Sequence, residues 1–324
     1  MNYRGLSCCL ALLALWAQPQ AARAAEPCTL KRVAEIAADT SHNALLIKIQ
    51  IDGHDARVLV DTGSAFNMIS PQLAAELKLP LKPVREGAVI DLSGRSIRHM
   101  VKVQKVGLGG MTAEDIPFLV LGEDGDKPPP FDGVFGANFL EAYDVEFDLA
   151  HDKMNLFLPN ECGTEPVYWT RDYDVVPFQI DASMHAVLPV TLEGKSLRAV
   201  FDTGASPSVL RLQTARHDFN FDPEANGDKP DGQARGGSGA VLPYYRHRFA
   251  TFEIGGVAFR NTEFEVITDK VTRMQREHQR HDIHLDSEEN METQVTIGLH
   301  HLLRLRAYAS FHDRKLYVSA ADAK

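Results

Sequence analysis

One pattern occurs twice in this chain, and it dictates most of what the chain can fold into. Residues 44–63 read ALLIKIQIDGHDARVLVDTG and residues 185–204 read HAVLPVTLEGKSLRAVFDTG. At a constant offset of 141 residues (61 to 202), Gly53 falls on Gly194, Arg57 on Arg198, and Asp61-Thr62-Gly63 on Asp202-Thr203-Gly204. A long internal repeat means that the fold is assembled from two copies of one unit. Apolar residues alternate before the glycine in both copies, as Leu45, Ile47, Ile49, Ile51 and as Ala186, Leu188, Val190, Leu192. That period of two describes half-buried strands, with Asp52-Gly53 and Glu193-Gly194 as hairpin turns. The apolar runs Val58-Leu59-Val60 and Ala199-Val200-Phe201 then lead into the two acidic loops.

The copies also close alike. Gly133-Val134-Phe135-Gly136 corresponds to Val295-Thr296-Ile297-Gly298 at an offset of 162 (136 to 298), so the second copy is about 21 residues longer in its middle. A further strand follows each, Lys153-Met154-Asn155-Leu156 and Lys315-Leu316-Tyr317-Val318. Between these landmarks the pattern predicts mostly strands with few short helices. One helix is expected between Ile69 and Leu79, with Ser70 as N-cap and Pro71 at the first helical position. A long hairpin is expected from Val89 to Val106, and its turn at Leu92, Ser93 and Gly94 is a candidate flap over a cleft. In the second copy, residues 227–239 are glycine-rich and Val241–Phe249 continues a comparable hairpin with a looser tip. Tyr244 and Tyr245 occupy a flap-like place there, either serving a flap or packing. Residues 168–174 are expected to begin the linker between copies.

Two aspartates, each on a tight glycine turn after an apolar strand, point to one shared site on a pseudo-twofold axis. Peptide hydrolysis without a metal or a covalent intermediate needs a water, a base to deprotonate it and an acid to protonate the carbonyl. Two carboxylates held close together cannot both ionise easily, so they share a proton and supply both roles. Gly63 and Gly204 let each backbone turn sharply and approach closely. The Thr62 and Thr203 hydroxyls can bond across the axis and hold the loops rigid. Ser64 follows the first glycine, where a hydroxyl can help hold the loop and its carboxylate. The second copy has Ala205 there and delays its serine to Ser206.

These residues resemble the active-site loops of aspartic proteases: Val58-Leu59-Val60-Asp61-Thr62-Gly63-Ser64 and Val200-Phe201-Asp202-Thr203-Gly204-Ala205-Ser206. Val134-Phe135-Gly136 and Thr296-Ile297-Gly298 are similar to the hydrophobic-hydrophobic-glycine element beneath such loops, with a threonine in the second copy where an apolar residue is usual. Each copy has the size of a retropepsin subunit, and the tandem resembles bacterial retropepsin-like proteins joined in one chain, a relation shared with pepsin-like enzymes. The resemblance implies a mostly β, bilobal acid-protease fold of two pseudo-twofold-related, barrel-like lobes. It implies catalytic roles for Asp61 and Asp202, an extended peptide or protein substrate, and neither cofactor nor metal. Pepsin-like enzymes carry a tyrosine on the first-lobe flap, and residues 89–101 contain none. That departure keeps a rival open, a non-catalytic peptide-binding protein on the same scaffold.

Composition excludes more than it identifies. The formal net charge is −10 over 324 residues, which disfavours nucleic acid and acidic membrane surfaces as partners. Residues 1–24 read as an export signal: Arg4, an apolar run from Leu6 to Trp16 too short to span a bilayer, and Ala22-Arg23-Ala24 before a cut at Ala25. The alternative is an uncleaved anchor. No later segment is apolar enough to span, so the expectation is an exported protein, periplasmic or secreted. The lobes are expected at 25–165 and 166–324. Two cysteines would remain, Cys28 and Cys162, a candidate disulfide in an oxidising compartment, the alternative being two free thiols. His278, His281 and His284 lack a cysteine partner, so a solvated helix or insertion is the reading there rather than zinc. Both aspartates lie in one chain, so a monomer is expected.

Overall fold

The computed structural model describes residues 30–85, 97–121, 130–159, 165–235, 241–268 and 293–322. The proposed signal at 1–24, Cys28 and Cys162, the candidate flap at Leu92, Ser93 and Gly94, and His278, His281 and His284 all lie outside these residues.

The two repeats build two lobes of the same design, mostly strand with short helices, which is the bilobal acid-protease fold. In the first lobe, strands Leu46–Ile51 and His54–Val60 form the repeat hairpin, in register from Leu46 opposite Leu59 to Ile51 opposite His54. Its turn places Asp52 and Gly53 at φ 49° and 84°, and the second-lobe turn places Glu193 and Gly194 at 47° and 79°. Consecutive positive φ values define the two-residue turn whose twist matches flanking strands. The alternating residues all point inward: Leu45, Ile47, Ile49 and Ile51 are buried, as are Ala186, Leu188, Val190 and Leu192.

Each lobe then closes on itself. The hairpin strand Leu46–Ile51 pairs with His99–Leu108, while His54–Val60 runs parallel to Gly133–Phe135. In the second lobe Ala186–Leu192 pairs with Val241–Ile254, and Lys195–Phe201 runs parallel to Val295–Ile297. Closure matters because it leaves no open edge inside the barrel and seats each aspartate at the end of a central strand whose last three residues are buried. The predicted helix forms at Pro71–Glu76, with the Ser70 hydroxyl accepting from the Leu73 N–H at 3.1 Å. Its second-lobe counterpart is Leu212–Phe219.

A six-stranded antiparallel sheet joins the lobes. Its order is Asp174–Pro177, Lys315–Ala320, Leu305–Ser310, Asp144–Asp148, Lys153–Phe157 and Arg32–Asp39. The lobes meet where Ala309 faces Val145 and Tyr308 faces Glu146. Glu146 is fully buried there, and Arg306 satisfies it from Nε at 2.9 Å and Nη2 at 2.7 Å. Asn155 and the Tyr168 hydroxyl donate to its other oxygen at 2.8 and 2.7 Å. A buried carboxylate survives only with such complete pairing. Through Tyr168 and Trp169, which both pack against the Arg306 guanidinium, the same network docks the residues expected to begin the linker. Phe147 of the first lobe then packs against Phe201 of the second, one residue before Asp202. The interlobe sheet thereby supports the strand that leads into Asp202.

Candidate active site

The backbone brings Asp61 and Asp202 together by equivalent steps. Asp61 follows the strand His54–Val60, and its N–H donates to the Phe135 carbonyl at 2.9 Å. Asp202 follows Lys195–Phe201, and its N–H donates to the Ile297 carbonyl at 3.0 Å. Each loop then rests on its glycine element. Ala137 and Leu299 donate to the carbonyls of Ser64 and Ala205 at 2.7 and 2.8 Å. A Cβ at Gly136 would lie 2.5 Å from the Phe66 carbonyl oxygen, and one at Gly298 would run into the Pro207 carbonyl, so both positions need glycine for space rather than for φ.

The two threonines lock the loops reciprocally. Thr62 Oγ1 donates to the Phe201 carbonyl at 2.6 Å and accepts from the Thr203 N–H at 3.0 Å. Thr203 Oγ1 donates to the Val60 carbonyl at 2.7 Å and accepts from the Thr62 N–H at 3.1 Å. All four bonds cross between lobes, and both threonines are buried. The glycines set the spacing: a Cβ on Gly63 would lie 2.5 Å from the Asp202 carboxyl carbon, and one on Gly204 would collide with the Asp61 carboxylate. Each carboxylate therefore sits on the other lobe's glycine.

The two carboxyl groups face each other across the axis but do not share the same surroundings. Asp202 Oδ1 accepts from the Gly204 N–H at 2.8 Å and the Ala205 N–H at 3.1 Å. Asp61 Oδ1 accepts one backbone bond, from the Gly63 N–H at 3.0 Å. Burial pushes Asp61 well above the usual carboxylate range, and the Asp202 carboxylate beside it pushes further. Burial also raises Asp202, but its two backbone donors and the charge of His185 oppose the rise. The second backbone donor favours the anion at Asp202, and with it the shared proton at Asp61, although the titration is a property of the pair.

Other expected site residues divide. Ser64 Oγ donates to the Phe66 carbonyl at 3.0 Å, so its hydroxyl braces its own loop rather than the carboxylate. Ser206 lends its carbonyl to the His300 N–H at 3.0 Å. Tyr245 is buried in the second-lobe core, which settles its packing role because the strand alternation turns it inward. Tyr244 pairs with Gly232 across the short hairpin and stacks with Arg246. His301, next to the second glycine element, is fully buried between Ser208 and Thr262 hydroxyls at 2.7 and 2.6 Å.

His185 is the site residue that sequence reasoning missed. Its Nε2 reaches across the axis to the Gly63 carbonyl at 2.9 Å, and its Nδ1 lies 3.1 Å from Asp181 Oδ2. Asp181 Oδ1 in turn accepts from the Ser183 and His185 N–H groups at 2.8 and 2.9 Å. The available signal was a departure from the repeat: His185 stands where the first copy has Ala44. Nothing in that comparison reveals that the side chain crosses to the other lobe.

A family model described as aspartyl protease matches residues 47–139 and 188–287, together more than half of the chain and including both aspartates. No curated protein matches the chain. Among the described residues no helix is long and apolar enough to cross a membrane.

Proposed function

Because the chain belongs to the aspartyl protease family, we propose that it is an aspartic endopeptidase that hydrolyses peptide bonds with a water held between Asp61 and Asp202. The observation that carries this reading is the facing pair of carboxyl groups, each seated against the opposite lobe's glycine. In the attack step the Asp202 carboxylate takes a proton from the water while the Asp61 proton passes to the scissile carbonyl oxygen. The product is a neutral tetrahedral diol, with the proton originally on Asp61 now on the substrate. Collapse returns one diol proton to Asp61, moves the proton held by Asp202 to the departing nitrogen and breaks the C–N bond. Electrostatic restraint of the pair, rather than a strong external base, makes this acid–base exchange feasible.

The substrate is an extended peptide lying between the lobes, its backbone able to pair with hairpin edges by strand addition. One chain contributes both aspartates, so the active species is a monomer. The test is cleavage of a proteome-derived peptide library by the purified protein, followed by mass spectrometry, with sizing-column fractions assayed in parallel. Asp61→Asn and Asp202→Asn should each lower cleavage by about 10³-fold or more. Cuts that persist in either variant would remove the assignment, and binding of peptides without any cuts would favour a peptide-binding protein instead.

A further inference from the structure

His185 stands between two groups that can only accept. The Gly63 carbonyl has no proton to give, so Nε2 must carry one to make the 2.9 Å bond. An ionised Asp181 likewise only accepts, so Nδ1 must carry one to make the 3.1 Å contact. Both bonds are satisfied together only by the imidazolium. Asp181 is tied into that role by its second oxygen, which two backbone N–H groups hold in place. The positive charge is one-sided, because the matching position of the first lobe is Ala44.

Its target is also specific. Gly63 is the residue whose N–H holds Asp61 and whose Cα supports the Asp202 carboxylate. We propose that His185 is a positioning residue: gripped as an imidazolium between Asp181 and the Gly63 carbonyl, it fixes the first-lobe loop under the two aspartates and places a positive charge beside them, so that its protonation sets the pH window in which the pair works. This rests on the peptidase reading above. The titratable groups acting on His185 are Asp181 on its own turn and the two aspartates on the facing loops. Burial alone would lower its pKa, but bonding to Asp181 and the Asp181 charge dominate and raise it, with the Gly63 carbonyl and Asp202 adding to the rise. A nearby cation favours ionised carboxylates, so it lowers both steps in which the aspartate pair loses protons. Loss of the cation would raise both.

The experiment has two readouts. His185 is titrated by NMR in the full chain, in wild type and in Asp181→Asn and Asp202→Asn. The pH profile of kcat/KM is recorded for wild type, His185→Gln and Asp181→Asn. Glutamine keeps a donor for Gly63 without the charge. The expected result is that His185 titrates above the ordinary histidine range and drops in both aspartate variants. Both limbs of the His185→Gln profile should move to higher pH by on the order of half a unit or more, and the upper limb of Asp181→Asn, where His185 has lost its proton, should move in the same direction. A profile that loses height with its limbs unmoved would show a purely structural residue and overturn the proposal. Should wild type cleave nothing, the peptidase reading fails, and the NMR titration still decides whether His185 senses the aspartates: unchanged titration in Asp202→Asn overturns the coupling.

Discussion

The two lobes repeat a backbone but not a chemistry. At the acidic loops the threonine exchange is symmetric to within about 0.1 Å, with 2.6 and 2.7 Å donor bonds and 3.0 and 3.1 Å acceptor bonds. The side chains around that frame differ at nearly every step. Asp202 has two backbone donors and Asp61 one. His185 faces Gly63, while Ala44 occupies the equivalent place in the first lobe. Beneath the loops, Asn67 Oδ1 accepts from the Gly136 N–H at 3.1 Å in the first lobe. In the second, Ser208 Oγ takes that role for Gly298 at 2.9 Å and passes the chain on to His301. Symmetry belongs to what holds the site's geometry, and asymmetry to what sets its protons. A symmetric pair of carboxyls would have no reason to place the shared proton on one side.

The shared frame yields the largest expected effect on stability. Thr62→Val removes a donor and an acceptor from buried partners, and should cost about 2–4 kcal/mol in urea denaturation. Thr203→Val should cost the same within error. A large inequality between them would mean that one lobe carries the lock and that the symmetry is only geometric.

The next effect separates the lobes by acid sensitivity. His301 is enclosed by Phe252, Phe259 and Phe264, and burial lowers its pKa to about 3. Its two hydroxyl partners can be satisfied by a neutral ring, unlike the two obligate acceptors of His185. A histidine with a depressed folded pKa binds its proton more readily when unfolded, so stability declines as pH falls from about 6.5 toward about 3. The first lobe uses Asn67 and, at the position matching His301, Phe139. The double variant Ser208→Asn with His301→Phe transplants that pair and should flatten the decline. Thermal melts at several pH values check it, and an undiminished slope would assign the acid sensitivity to other groups.

The smallest effect concerns the aspartates themselves. Both are raised in the folded protein, so their contribution to stability is present below the ordinary carboxylate range and lost as pH rises through the folded values. Asp61→Asn imitates the protonated partner and should gain about 1 kcal/mol at neutral pH. Asp202→Asn replaces the anion that its backbone donors favour and should gain less. Equal gains in the two melting curves would place the proton on neither side.

Much of this was legible before any fold was drawn. The alternation of Leu45 to Ile51 and of Ala186 to Leu192, the glycine turns after them and the doubled Asp-Thr-Gly are local patterns with a fixed period. Backbone geometry converts such patterns into strands and hairpins with little help from distant residues. The cap at Ser70 and Pro71 is readable for the same reason. Ser64 holds its loop as expected, but through the Phe66 carbonyl of its own turn, an acceptor that only the folded loop brings within reach. Tyr245 left two readings open because strand alternation assigns a residue to a face, and only the packed barrel decides that the face is the core.

The repeat thus established two equivalent lobes and the two residues that should meet between them, because the information lies in neighbours along the chain. Which aspartate keeps the proton, and that His185 reaches the opposite loop, depended on the packed molecule. Those properties arise from groups distant in sequence, Gly63 and His185 being 122 residues apart, and their strength comes from burial that no single segment contains.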